Sequence, residues 1–145
     1  MPTDTIYGIV ASAFCPEAVE KVYQLKKRDR KKPCIVLISH PRDLKLFGLQ
    51  EVSYSFWPGP VSVIMKGSFP DYLSRGGDTL AFRVPRNFKM LKKTGPLIAP
   101  SANPEGLPPA ENIKQARAYF KDGVDFYLPG RPRSKNPSIL VEIIR

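Results

Sequence analysis

Apolar runs of strand length alternate with segments of helical periodicity over most of the chain. Residues 16–27 carry apolar side chains at helical spacing, and Pro16 and Glu17 form a typical helix start. The run from Cys34 to Ile38 is continuously apolar, as in a strand buried on both faces. Further strands are predicted at 61–65, 79–84, 97–99, 124–128 and 138–144, and further helices at 41–47, 51–56, 87–94 and 111–120. The alternation predicts an α/β fold in which helices pack against a sheet.

The length and composition indicate one globular domain. The chain has 145 residues, of which 42% are hydrophobic and 25% charged, enough to bury a core without disulfides. Neither a membrane-spanning apolar run nor the pattern of a signal peptide is recognised. Cys15 and Cys34 are the only cysteines, and we expect them to be buried thiols in the reducing cytoplasm.

The charge balance favours a polyanionic partner. The net charge is +10, which suits a nucleotide, a nucleic acid or both, although a basic protein without such a role has the same charge. The segment from Lys26 to Lys32 is basic except for Asp29, and it follows the first predicted helix. So many basic residues in a short segment indicate an anion site, because like charges repel one another unless an anion lies nearby. The alternative is a solvated helix end.

Several familiar catalytic patterns are absent from the sequence. His40 is the only histidine, so a histidine-based triad or metal cluster is excluded, and no glycine-rich phosphate-binding loop follows a predicted strand. Candidate ligand contacts are therefore Arg83, near the end of a strand, and the polar pair Ser101 and Asn103 at the mouth of another. A simple turn would also explain the polar pair.

The opening run from Pro2 to Gly8 is the most unusual stretch. Thr3, Thr5 and Tyr7 alternate, so an extended segment would present their three hydroxyl groups on one face. The alternative is a strand end with ordinary turn chemistry.

Taken together, these stretches resemble the YrdC/TsaC family of threonylcarbamoyl-AMP synthases. The matching motifs occur in the family's order and cover nearly the whole chain. They are Pro2-Thr3-Asp4-Thr5-Ile6-Tyr7-Gly8, Lys26-Lys27-Arg28 with Lys32-Pro33, Trp57-Pro58-Gly59-Pro60, Arg83-Val84-Pro85 and Ser101-Ala102-Asn103. The resemblance implies a single-domain open twisted mixed sheet, flanked by helices, with a deep basic cleft.

The resemblance also implies an activity. The family joins L-threonine, bicarbonate or CO2 and ATP into threonylcarbamoyl-adenylate and releases pyrophosphate. A partner complex then transfers the threonylcarbamoyl group to the adenosine beside the anticodon of tRNA. Mg²⁺ would accompany the ATP, and a protein-bound metal site is not expected.

Site residues are carried over by position. The threonine contacts would be Thr5, Tyr7, Arg83, Ala99 and Ser138. The ATP contacts would be Arg28, Lys32, Thr79, Ser101 and Asn103. Lys26 and Arg28 would stabilise developing charge, since the reaction demands no protein nucleophile.

The chain departs from the family pattern at several points. A strand usually precedes the Pro-Thr motif, so we expect either a truncated sequence or a missing edge element in the 1–145 domain. Glu105 stands where the family often has serine, and Ile139 replaces the second hydroxyl of a late Ser-Thr pair. Two other functions stay open: a non-catalytic module that binds tRNA or double-stranded RNA, and carbamoyl-adenylate chemistry of the hydrogenase-maturation type.

Overall fold

A mixed β-sheet forms the centre of the protein. The computed structural model describes residues 1–87, 89–130, 134 and 136–143. Within them the strands are β1 (Ala11–Ser12), β2 (Val36–Leu37), β3 (Val61–Lys66), β4 (Thr79–Arg83), β5 (Leu97–Ile98) and β6 (Ile139–Glu142). They are ordered β1-β5-β2-β4-β3-β6; β2 is parallel to β4, β6 is parallel to β3, and the other pairs are antiparallel.

The helices lie between these strands in the sequence. They are α1 (Pro16–Lys26), α2 (Asp71–Ser74), α3 (Leu91–Thr94) and α4 (Ile113–Phe120), with 3-10 helices at Pro41–Phe47 and Lys121–Gly123. The predicted α/β fold with a mixed sheet flanked by helices is therefore confirmed. The deep basic cleft stays a prediction.

Strand β2 is buried on both faces, as its continuous apolar run predicts. Val36 packs in the main hydrophobic core, whereas Leu37 packs with Leu91 and Leu97 in a second cluster. Neighbouring side chains of a strand point to opposite faces, so the two clusters lie on opposite sides of the sheet. In the described part of the chain, no helix has the length and apolar character needed to cross a bilayer.

Helix α1 begins and ends as its sequence predicts. Pro16 occupies the first turn, and Val19, Val22 and Tyr23 are buried against the core. The helix ends where Lys27 takes a left-handed conformation with φ of 50°, and its amide donates to the Gln24 carbonyl at 3.1 Å. The basic segment follows this ending and precedes β2 in the sequence.

The helix predicted at 51–56 is wrong, because residues 51–56 form neither helix nor strand. Aromatic contacts organise the segment instead: the Tyr54 and Phe56 rings stack at 5.0 Å, and Trp57 meets Tyr54 edge-on. So short a segment before Trp57-Pro58 gains little from helical hydrogen bonds, and ring packing decides its conformation.

The strand predicted at 124–128 is also wrong. In the described residues it pairs with no strand. Its side chains make other contacts, and the Asp125 carboxylate lies 3.2 Å from Nζ of Lys21 in α1. The Tyr127 hydroxyl donates to the Lys121 carbonyl at 2.6 Å, while Phe126 is exposed. The strand-like alternation of side chains at 124–128 therefore belongs to a half-buried loop.

The other predicted elements are present, although several differ in their bounds, and the strand predicted at 61–65 extends to Lys66. The helix predicted at 87–94 is reduced to α3, and the last strand to β6. Phe88 and Ile144, which belong to those two predictions, lie outside the described residues.

Candidate active site

The opening run folds as a tight turn, not as an extended segment. The Gly8 amide donates to the Met1 carbonyl at 2.7 Å, and the Thr3 amide donates to the Ile6 carbonyl at 3.3 Å. The prediction of three hydroxyls on one face is therefore wrong. Thr3 and Thr5 do bring their hydroxyl oxygens together, 3.2 Å apart and buried.

Tyr7 points away from those threonines. Its side chain is fully buried in the main core, and its hydroxyl donates to the Leu128 carbonyl at 2.5 Å. Tyr7 does not line the cavity described next. The structure therefore separates it from the other predicted threonine contacts.

The two threonines line a cavity of about 200 Å³ where distant segments of the chain meet. Of the residues that the sequence predicts as ligand contacts, those in its wall are Thr5, Arg28, Arg83, Ala99, Ser101 and Ser138. Gly8 and Ser101 form an antiparallel bridge at the cavity. A Cβ atom at Gly8 would lie 3.3 Å from Thr3 and 3.4 Å from the Pro100 carbonyl, so a side chain would crowd this approach.

Arg83 is the buried cation of this cavity. Its Nη1 donates to the Thr5 hydroxyl at 3.1 Å, and its Nη2 lies 3.3 Å from the Asp4 carboxylate. Burial lowers the pKa of Arg83 and the Asp4 charge opposes that change, so the guanidinium stays protonated at neutral pH. Within the described residues its Nε has no hydrogen-bond partner. A buried donor without an acceptor beside a cavity suits an anionic ligand.

Asp4 has a role that the sequence alone did not assign. One carboxylate oxygen accepts from the Arg86 amide at 3.0 Å, and the other faces Arg83. Asp4 therefore links the opening turn to the end of β4. The signal in the sequence was an acid between two threonines in a short polar run.

Ser138 reaches the cavity from the start of β6. Its hydroxyl oxygen lies 3.0 Å from that of Ser62, which is fully buried in β3. Ser62 was not predicted as a site residue, although a serine inside the apolar run Val61 to Met65 was a visible signal. Parallel pairing of β3 with β6 places the two serines together.

Ala99 lines the cavity, and the notable groups of this residue are those of its backbone. Its amide already donates to the Ile35 carbonyl at 3.0 Å. A ligand would therefore use the carbonyl oxygen of Ala99.

Lys26 is buried at the base of the Ser101–Asn103 loop. Its Nζ donates to the Ser101 carbonyl at 2.5 Å and to the Asn103 carbonyl at 2.6 Å. Burial lowers the pKa of Lys26 to about 8, and the nearby charge of Arg28 acts in the same direction. Lys26 thus holds this loop while keeping its charge near neutral pH. Asn103 itself turns to the local backbone, donating to the Leu107 carbonyl at 2.7 Å, and it does not line the cavity.

Arg28 and Lys32 occupy different positions in the basic segment. Arg28 lines the cavity, and it donates to the Lys32 carbonyl at 3.1 Å and the Pro33 carbonyl at 3.0 Å. The Lys32 side chain is 61% exposed outside the cavity, and its Nζ lies 3.6 Å from Glu105. An ATP molecule would have to extend out of the cavity to meet both cations.

The structure does not bring Thr79 to the cavity. Thr79 begins β4 and Arg83 ends it, so the two lie roughly 13 Å apart at about 3.3 Å per residue. Thr79 pairs with Lys66 at the far end of the strand. The extended conformation of β4 separates this predicted ATP contact from the others.

Two other cavities are larger, but neither is lined by a buried arginine together with several hydroxyl groups. One of about 590 Å³ lies near His40 and Trp57, and one of about 350 Å³ is lined mainly by apolar side chains of α1, α4 and the loop at 124–128. The choice of candidate site follows the buried arginine and the converging hydroxyls, not the volume.

Comparisons with known proteins identify the family of this chain. Residues 1–145 match the Sua5/YciO/YrdC family model, whose description is "Telomere recombination". A Hahella chejuensis protein named threonylcarbamoyl-AMP synthase is 33% identical over 142 residues, covering 90% of this chain and 77% of that protein.

Solved structures are similar in fold. P. abyssi Sua5, crystallised with L-threonine, superposes with a TM-score of 0.88 at 27% identity over 98% of this chain. The match covers 46% of that chain, so the present chain spans less than half of its length. Full-length HypF in a phosphate- and nucleotide-bound form has a TM-score of 0.77 at 19% identity, a likeness of fold alone.

Proposed function

We propose that this chain, which belongs to the Sua5/YciO/YrdC family, joins L-threonine, bicarbonate or CO2 and ATP into threonylcarbamoyl-AMP and releases pyrophosphate. The observation that carries the proposal is the cavity that joins Thr5, Arg83 and Ser138 to Arg28 and Ser101. Small hydroxyls and a buried arginine suit a hydroxy amino acid, while an arginine at the rim suits a phosphate. The relatives named threonylcarbamoyl-AMP synthase support this choice.

On the threonine side, the carboxylate of the substrate would bind Arg83. The Nε of Arg83 is buried beside the cavity and has no acceptor among the described residues. The hydroxyls of Thr5 and Ser138 and the carbonyl of Ala99 would contact the remaining polar groups of L-threonine. The crystal structure of P. abyssi Sua5 with L-threonine supports this choice of amino acid.

On the nucleotide side, the phosphates would meet Arg28 at the cavity rim and Lys32 beyond it. Ser101 would meet the nucleotide from the loop that Lys26 holds. Mg²⁺ enters with ATP as part of the substrate, because the phosphate oxygens supply the hard ligands that it prefers.

The chemistry needs positioning and charge neutralisation. The amine of threonine attacks CO2, forming an N–C bond and losing a proton, which yields a carbamate. A carbamate oxygen then attacks the α-phosphorus of ATP, and the bond to the β-phosphate oxygen breaks to release pyrophosphate. Arg28 and Lys26 would offset the charge that develops on the phosphates, and no side chain need act as a nucleophile.

The proposal is tested by pyrophosphate release. The protein is incubated with MgATP, bicarbonate and L-threonine, and with L-valine as a nearly isosteric substrate that lacks the hydroxyl. We expect pyrophosphate only with L-threonine, and a product with the mass of threonylcarbamoyl-AMP. A folded protein that releases no threonine-dependent pyrophosphate would contradict the proposal.

The proposal also covers the partner proteins of this chain and its location in the cell. The product would pass to a threonylcarbamoyl-transferase complex that modifies tRNA in the cytoplasm. The two alternatives from the sequence are not favoured. RNA binding alone requires no threonine cavity, and the likeness to HypF at 19% identity concerns the fold only.

A further inference from the structure

A buried arginine outside the candidate active site braces the basic segment. Arg75 lies in the turn between α2 and β4, where it takes a left-handed conformation with φ of 58°. Its side chain is only 7% exposed, and its Cζ lies 3.6 Å from the ring centroid of Tyr23. The short distance and the burial indicate a strong cation–π contact.

Arg75 reaches the basic segment through a carboxylate of α1. Its Nη1 lies 2.5 Å from Oε1 of Glu20, and Oε2 of Glu20 lies 2.8 Å from Arg30. The hydrogen bond from Arg75 lowers the pKa of Glu20, so the carboxylate stays charged at neutral pH. One carboxylate thus joins a buried cation to a cation of the segment.

Arg75 reaches the same segment through the ring beneath it. The Tyr23 hydroxyl donates to the Lys32 carbonyl at 2.8 Å, and Arg28 donates to that same carbonyl at 3.1 Å. Burial raises the pKa of Tyr23 to about 12, so the hydroxyl remains a donor over the working pH range. The Lys32 carbonyl therefore fixes Arg28, and Tyr23 fixes that carbonyl.

We propose that Arg75 and Tyr23 are positioning residues that hold the segment 27–32 so that Arg28 faces the cavity before ATP binds. Like charges in the segment repel one another, and without a brace it would sample conformations that direct Arg28 away. Holding it in place reduces the entropy that nucleotide binding must offset. The inference rests on the proposed function for the identity of the nucleotide, and on the structure alone for the brace.

The test uses two conservative substitutions with matched controls. Tyr23→Phe removes the hydroxyl but keeps the ring, and its control is Tyr72→Phe, because Tyr72 also donates to a backbone carbonyl, that of Ala13 at 3.0 Å. Arg75→Lys keeps the charge but loses the planar stacking, and its control is Arg117→Lys, because Arg117 lies 4.5 Å over the Tyr127 ring.

Two measurements give independent answers. In the ligand-free protein, we expect limited trypsin digestion to cleave the segment 27–32 faster in Tyr23→Phe and Arg75→Lys than in the controls. In titrations, we expect Tyr23→Phe to raise the Kd for ATP about three- to tenfold, the range for one lost hydrogen bond, with the Kd for L-threonine unchanged.

The outcomes separate this inference from the proposed function. Unchanged trypsin cleavage would overturn the brace, whether or not the protein binds ATP. An equal loss of ATP and threonine affinity would also overturn it, because that result indicates general destabilisation. Faster local cleavage in a protein that releases no pyrophosphate would support the brace and contradict the proposed function.

Discussion

Arg83 and Thr5 meet in the candidate active site although 78 positions separate them in the sequence. The Asp4 carboxylate lies 3.3 Å from Nη2 of Arg83 and also accepts from the Arg86 amide. A buried arginine needs such compensation, because an isolated buried charge is costly. At the scale of single residues, the site therefore contains a buried cation whose Nε has no hydrogen-bond acceptor among the described residues.

The first residue-scale prediction compares two threonines. Thr5→Val removes the hydroxyl that accepts from Arg83 and faces the cavity, whereas Thr79→Val makes the same change at the far end of β4. We expect Thr5→Val to weaken L-threonine binding about tenfold, since it leaves a buried donor unsatisfied, and to change ATP binding less.

Calorimetric titration with each ligand checks this comparison. The Thr79→Val variant should bind both ligands as the unaltered protein does. If Thr79→Val weakened ATP binding instead, the separation of Thr79 from the site would be wrong.

The second residue-scale prediction concerns pH. Lys26 is protonated below its pKa of about 8 and neutral above it, so its charge is lost as the pH rises through about 8. An ordinary lysine loses its charge near pH 10.4. If that charge stabilises bound phosphates, the affinity for MgATP should fall as the pH rises through about 8.

Lys26→Met provides the control for the pH dependence. It should bind MgATP more weakly at neutral pH, because the Ser101–Asn103 loop loses its ties and the charge is gone. It should also show no fall in affinity in the alkaline range. An unaltered protein with a flat profile would contradict the assigned role of Lys26.

At the scale of elements, the segment between α1 and β2 is held from two sides. Tyr23 and Glu20 of α1 contact it from one side. Glu105 contacts it from the other: its Oε2 accepts from the Asp29 amide at 2.8 Å, and its Oε1 lies 3.6 Å from Lys32. The departure from the family pattern at Glu105 therefore places a carboxylate against a predicted ATP contact.

The element-scale prediction follows from that carboxylate. Glu105→Gln keeps an acceptor for the Asp29 amide but removes a negative charge that would repel the phosphates and compete for Lys32. We expect ATP to bind about two- to fivefold more tightly at low ionic strength, with a smaller gain in high salt.

Glu51→Gln is the matched control for Glu105→Gln. Glu51 also pairs with a lysine, Lys45 at 2.9 Å, outside the candidate active site. Titrations of both variants at two salt concentrations check the prediction. Weaker ATP binding by Glu105→Gln would mean that its tie to Lys32 helps to order the segment.

The elements differ in how far the sequence predicts them. Helix α1 has a proline start, apolar spacing and a clear end, and β2 has a continuous apolar run, so local patterns suffice for both. The segment at 124–128 alternates like a strand, but a segment forms a strand only when it pairs with a neighbouring one. Whether a neighbour is available depends on the whole fold and not on the local sequence. The helix predicted at 51–56 failed for a similar reason, because ring packing outweighed a weak local preference.

The residues of the candidate site also differ in how far the sequence predicts them. Motifs indicated Thr5, Arg28, Arg83, Ser101 and Ser138, and the fold places all of them in one cavity. Asp4, Ser62 and Arg75 went unassigned, because each acts through a neighbour distant in sequence. Tyr7 and Thr79 were assigned by position, and the structure directs one into the core and the other to the far end of a strand.

At the scale of the whole molecule, the site exists only when the chain is folded. Its walls come from the opening turn, the segment after α1, the end of β4, the loop after β5 and the start of β6. The order β1-β5-β2-β4-β3-β6 joins these segments through neighbours that are mostly distant in sequence. Ligand binding should therefore be coupled to global unfolding, since these wall residues are not close together in the unfolded chain.

The whole-molecule prediction is that L-threonine stabilises the entire fold. At a concentration of about 100 times its Kd, a ligand that binds only the folded state adds about 2.7 kcal/mol to the free energy of unfolding. For a domain of this size, that gain should raise the Tm by roughly 5–10 °C in a single cooperative transition. Ser138→Ala, which leaves β6 paired with β3, should bind threonine more weakly and show a smaller shift at the same ligand concentration. If threonine shifted both proteins equally, Ser138 would not contact the ligand. A shift confined to one of two transitions would mean that the opening turn and β6 unfold separately from the rest of the sheet.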